Sequence, residues 1–160
     1  MQPNRVLHCL QSAAVIGFFV ALCGCAPMPP TSAVSIPPIP AGMARVWFYR
    51  EDMPTETPQR PYVRMNGAVI AISEDGGAFY RDVPPGQYYV TVDSYGVDIN
   101  QFSHVVLVAG QTVYFQIIGS KYWASGDAPQ WLRPTFYVWV MPNDVGGSAV
   151  ARTPFYPSGG

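Results

Sequence analysis

Few side chains in this sequence can do chemistry, and their positions narrow what that chemistry could be. The three cysteines, Cys9, Cys23 and Cys25, all lie within the first 25 residues. A thiol can attack, pair, bind a metal or carry a thioether. His104 shares the strand parity of Phe102 and Val106. That suits a hydrogen-bonded structural residue better than a general base, which needs a partner within reach. Ser120-Lys121 sets a hydroxyl beside an amine, but neighbours in an extended chain point apart. Asp93 with Asp98, and Glu74-Asp75 before Gly76-Gly77, could meet a hard cation. They lack the ligand periodicity of a calcium loop and read as solvated turn carboxylates. No Gly-x-Ser-x-Gly, His-Glu-x-x-His or Gly-rich phosphate motif occurs. The expectation is a non-enzyme with no catalytic residue, no metal site and no dissociable cofactor.

The thiol with a defined setting is Cys25. Arg5 is the only formally charged side chain ahead of an apolar block from Ala13 to Leu22, a run well short of the roughly 20 residues that cross a bilayer. Gly24 and the prolines Pro27, Pro29 and Pro30 follow it closely. Leu22-Cys23-Gly24-Cys25 resembles the lipobox of bacterial lipoproteins: a branched apolar residue, a small pair, then the acceptor cysteine. Cys23 is the rival acceptor, but it would put bulky Leu22 at the cleavage site. Residues 1–24 are therefore expected to be a signal peptide cut between Gly24 and Cys25. Cys25 would carry diacylglyceryl and N-acyl lipid. Each buried methylene contributes about 0.8 kcal/mol, and two or more chains hold firmly. The membrane is thus an expected partner through the anchor. Ala26 is not the aspartate that retains lipoproteins at the inner membrane, so a two-membraned cell would carry the chain on its outer membrane, facing the periplasm.

Past Cys25 no cysteine remains, so a disulfide or thiolate metal site is excluded there and stability must come from an apolar core. Removing the leader leaves eight basic against ten acidic residues, which gives no reason to expect a nucleic-acid partner. Residues 25–43 hold the lipidated cysteine and a Pro-rich stretch that favours polyproline II. At about 3.1 Å per residue it would reach roughly 50 Å. Residues 44–141 give about 100 residues, enough for one domain. Residues 142–160, rich in Gly, Pro and Ser, read as a flexible tail.

Within 44–141 the pattern predicts strands over 44–50, 62–65, 68–72, 78–83, 87–95, 102–108, 112–118 and 135–141. Asn66-Gly67 suits a tight hairpin, and Pro84-Pro85-Gly86 and Ala109-Gly110-Gln111 read as further short hairpin turns. The expected fold is all-β, a small antiparallel β-sandwich of seven to eight strands. Alternation places Val46, Phe48, Tyr88, Val90, Val92, Val113, Phe115, Ile117, Phe136, Val138 and Val140 in the core.

Ala44 to Arg50, Val63 to Val69 around Asn66-Gly67, Val83-Pro84-Pro85-Gly86-Gln87-Tyr88 and Val108 to Tyr114 fall in an order that resembles the bacterial lipoproteins of domain-of-unknown-function family 2846. The turn motifs are also similar to those of PEGA and carboxypeptidase-regulatory-like sandwiches. The chain departs from the pattern in its long first loop and in the insertion from Gly119 to Pro134. The resemblance implies a sandwich on a lipid anchor and brings no catalytic residue.

The parity opposite the core holds Trp47, Tyr49, Tyr89, Tyr114, Tyr137 and Trp139, and the insertion adds Tyr122, Trp123 and Trp131. Two explanations stand. The insertion folds back over these rings as a second minor core, or Trp47, Tyr49, Tyr114, Tyr122, Trp123, Trp131 and Trp139 form a binding face. The partner would be another envelope protein, or alternatively a cell-wall glycan stacked on the rings.

Overall fold

The computed structural model describes residues 27–94, 102–120 and 135–157. Among them, eight strands form two four-stranded sheets packed as a sandwich. The strands are β1 (Ala44–Tyr49), β2 (Tyr62–Met65), β3 (Ala68–Ile72), β4 (Ala78–Val83), β5 (Gly86–Val92), β6 (Phe102–Leu107), β7 (Thr112–Gly119) and β8 (Phe136–Met141). Helix α1 (Asn143–Arg152) follows β8. The first sheet has the order β4-β1-β7-β8 and the second β3-β2-β5-β6. Among the described strands every pairing is antiparallel except β1 with β7.

The strand boundaries agree with the sequence pattern to within a few residues, but two turns serve a different purpose. Asn66 and Gly67 both have positive φ, 50° and 83°, and close the β2–β3 hairpin as expected. Pro84-Pro85-Gly86 instead carries the chain from one sheet to the other, as does Ala109-Gly110-Gln111, because β4 and β7 lie in the first sheet while β5 and β6 lie in the second. Both are arches. Turn chemistry fixes a local reversal but does not say which sheet receives the next strand.

Alternation put the right residues inside. Phe48 stacks between Phe79 at 5.0 Å and Phe115 at 5.3 Å, and Val46, Val63, Val90, Leu107, Phe136 and Val138 fill the same layer. Tyr88 packs partly against this core. Val140 is the exception: it lies near the end of edge strand β8 and is exposed. Arg81 reaches from β4 to the Ile70 carbonyl on β3 and links the two sheets along that side.

Residues 142–157 are not a flexible tail. Helix α1 lies on the outer face of the first sheet, and Phe155 follows it into the same layer. Gly146 is the point of closest approach, since a Cβ there would meet the Tyr114 Cβ at 2.3 Å. The glycines that suggested disorder make the helix smooth enough to lie against that ring. Nor is the Pro-rich stretch a free spacer throughout. Val34 and Ile36 pack into the same second core with Trp47, Tyr49, Tyr80, Ala149 and Val150. The Pro37 carbonyl accepts from Arg45 Nη1 at 2.7 Å, while Arg45 forks onto Asp82 at 2.7 and 2.8 Å. The domain therefore runs beyond 44–141 in both directions.

Candidate functional site

The two sheets present opposite situations on their outer faces. On the first, Trp47 is 6% exposed, 5.0 Å from Tyr80 and 6.0 Å from Phe155, and Tyr49 is buried beside it. Tyr114 lies half-buried under α1, where burial pushes its hydroxyl pKa up. Trp47 and Tyr49 are thus unavailable as a binding face, and the second core they form is closed by α1, Phe155 and residues near Val34. Trp139 alone of the described rings proposed for that face is well exposed. Tyr122, Trp123 and Trp131 lie outside the described residues, as do Gly24 and Cys25.

Among the described residues, no helix packs on the outer face of the second sheet. The β5–β6 register sets Tyr89 opposite His104, Gln87 opposite Val106 and Thr91 opposite Phe102, all pointing outward. Tyr89, Phe102 and His104 form a triangle of rings with centroids 4.9, 4.8 and 5.3 Å apart. His104, read from its parity as a hydrogen-bonded structural residue, is an exposed member of an aromatic cluster. Such contacts suit rings that shed water together and leave polar edges free.

Asn66 frames this cluster. Its position at the hairpin tip lets its Oδ1 accept from the Tyr89 amide at 2.8 Å, while its own amide donates to the Tyr89 carbonyl at 2.8 Å. The result is a shallow groove of about 440 Å³ lined by Asn66, Gln87, Tyr89, His104 and Val106. Val106, at 63% exposure, is an apolar side chain with no cover. Further along the sheet Arg64 forks onto Asp93 at 2.7 and 2.9 Å. That ion pair accounts for one of the carboxylates considered as a cation ligand.

The remaining chemical candidates have structural partners. Glu74 pairs with Arg60 at 2.8 Å, and the Ser120 hydroxyl accepts from the Thr135 amide at 3.1 Å. Arg50, fully buried, donates to the carbonyls of Thr57 and Gln59, and so orders the long first loop. Glu56 and Asp75 face it at 3.8 and 3.5 Å. Burial raises both carboxyl pKa values, with the Arg50 charge acting in the opposite direction. Asp98 and Lys121 lie outside the described residues. Among the described residues no three His, Cys, Asp or Glu side chains gather to hold a metal, and no helix is long and apolar enough to cross a membrane.

Parity alone could have found the groove. Phe102, His104 and Val106 alternate on one side of β6, and Tyr89 has the matching parity on β5. What the sequence did not reveal was that Tyr89 belongs to a different sheet from Trp47, Tyr49 and Tyr114. Among the described residues, fold and site together define a β-sandwich in which α1 and Phe155 cover the Trp47 and Tyr49 side of one outer face, while Tyr89, Phe102, His104 and Val106 are exposed on the other. Compared with protein-family models, curated proteins and solved structures, the chain matches none.

Proposed function

We propose that this chain is a bacterial envelope lipoprotein, acylated at Cys25, whose sandwich is a non-enzymatic module that binds another envelope protein through the outer face of the second sheet. The observation that carries the choice of face is the contrast between the sheets: Trp47 is sealed, whereas Tyr89, Phe102, His104 and Val106 stand open. A patch of rings and an exposed valine with hydrogen-bonding groups at its border has the composition of a protein-contact core. The lipobox and the motif order similar to family 2846 lipoproteins support the anchor. In a cell with two membranes the module would hang in the periplasm from the outer one. A photoreactive residue at Val106 is expected to capture a discrete protein in intact cells, and one at exposed Val145 on α1 is not. Equal capture at both positions would refute this choice of face.

A second reading has its own observation. Asn66, Gln87 and His104 line the groove together with the Tyr89 ring, and rings bordered by polar side chains suit a stacked sugar. Sedimentation of the purified domain with cell-wall glycan, lost in Tyr89→Ala, would favour that reading over a protein partner.

A further inference from the structure

The Pro-rich stretch is docked almost from its start. The Pro29 carbonyl accepts from the Phe155 amide at 3.0 Å, and Pro30 bridges to Pro154. The amide and hydroxyl of Thr31 both donate to the Thr153 carbonyl at 2.9 Å. Only Ala26, Pro27 and Met28 separate Cys25 from the first docked residue. Fully extended, those links span at most about 14 Å. The headgroup layer of one leaflet accounts for roughly 5–8 Å of that.

The docking point also fixes which end of the sandwich is held. Phe155 pairs beside Ala78, which is the first residue of β4 and lies opposite Tyr49 at the end of β1. The loops beyond Tyr49 and before Ala78 therefore surround the tether. They form a cleft of about 500 Å³ in which Met28 and Met53 are both exposed, beside Asp52, Gly76 and Tyr156. The Asn66-Gly67 turn and the arches at Pro84-Pro85 and Ala109-Gly110 close the opposite end, one strand length or roughly 17 Å further out.

Resting on the acylation of Cys25 proposed above, we infer that the tether holds the Met28, Asp52 and Met53 end of the sandwich against the phospholipid headgroups, so that the groove at Gln87 and Val106 faces away from the bilayer. Charge does not produce this orientation. Glu51, Asp52 and Asp75 line the cleft at the held end with a single arginine, Arg152, which pairs with Glu51, so the balance there is acidic and would not draw it to anionic lipid. The short reach of the chain does.

The test uses the full acylated chain in phosphatidylcholine vesicles containing headgroup-spin-labelled lipid. Because the processed chain has no other free thiol, a fluorophore can be placed through Asp52→Cys or Gln87→Cys. Quenching is expected to be several-fold stronger at position 52. An insert of about twelve Gly/Ser residues between Ala26 and Pro27, adding roughly 20 Å of reach, is expected to abolish the difference. Equal quenching at the two positions in vesicle-bound protein, or a difference that survives the insert, would overturn the inference alone. Failure of the chain to float with vesicles would overturn the acylation and the inference with it.

Discussion

Gly146 lies so near Tyr114 that a side-chain carbon on the glycine would stand 2.3 Å from the tyrosine Cβ. That carbon is fixed by strand β7 and cannot swing aside. In Gly146→Ala the overlap should cost about 3 kcal/mol, the upper part of the range for overpacking. The better helix propensity of alanine returns about 1 kcal/mol. Gly147→Ala meets only the Tyr114 hydroxyl at 3.4 Å and its Cζ at 3.6 Å, ordinary contacts. Urea unfolding is expected to show the first variant destabilised by about 2 kcal/mol and the second unchanged or stabilised by up to about 1 kcal/mol.

Phe155 closes the second core over Trp47 and Tyr80. Phe155→Ala is expected to remove roughly 3 kcal/mol of stability and to shift tryptophan emission to the red as water reaches Trp47. An unchanged emission spectrum would mean that the segment after α1 does not cover this ring.

The carboxyl of Glu56 has a raised pKa because burial disfavours its charge, a cost that the Gly119 amide at 2.8 Å and Arg50 offset only in part. An acid that holds its proton more tightly when folded adds stability below the ordinary carboxylate range. That contribution is lost as pH rises through its raised folded pKa. Glu56→Gln keeps an acceptor for Gly119 and removes the titration. The melting temperature of the native protein minus that of Glu56→Gln should therefore fall as pH rises from the acid side toward neutrality. A difference constant with pH would contradict the raised pKa.

Tyr89 and Trp47 should separate binding from folding. Tyr89 is on the open face, so Tyr89→Ala is expected to change stability by no more than about 0.5 kcal/mol while abolishing capture at position 106. Trp47→Ala is expected to cost roughly 3 kcal/mol, being a core truncation. The comparison needs only unfolding curves and the crosslinking assay.

The strands and inner core were legible in the sequence because alternation reports burial directly: Val46, Phe48, Phe115 and Val138 announce themselves by period. The outer faces were not, for two physical reasons. Parity tells inside from outside but not which sheet, so Tyr89 was grouped with Trp47 although their faces point in opposite directions. Composition also misled at both ends of the domain. Gly146 permits a close helix contact and Pro29 offers a carbonyl to Phe155, yet both residue types read as loose chain. His104 carried the signal for the open face through its parity with Phe102 and Val106. Recognising that signal required knowing that α1 packs on the first sheet and not on the second.

Mass spectrometry of the N-terminal peptide from membrane-extracted protein tests the tethered-module account most directly. The account predicts a mature chain that begins at Cys25 with diacylglyceryl and N-acyl groups, and a Cys25→Ser variant that keeps residues 1–24. A mature chain that starts elsewhere, or an unmodified thiol at Cys25 in membrane-bound protein, would contradict it.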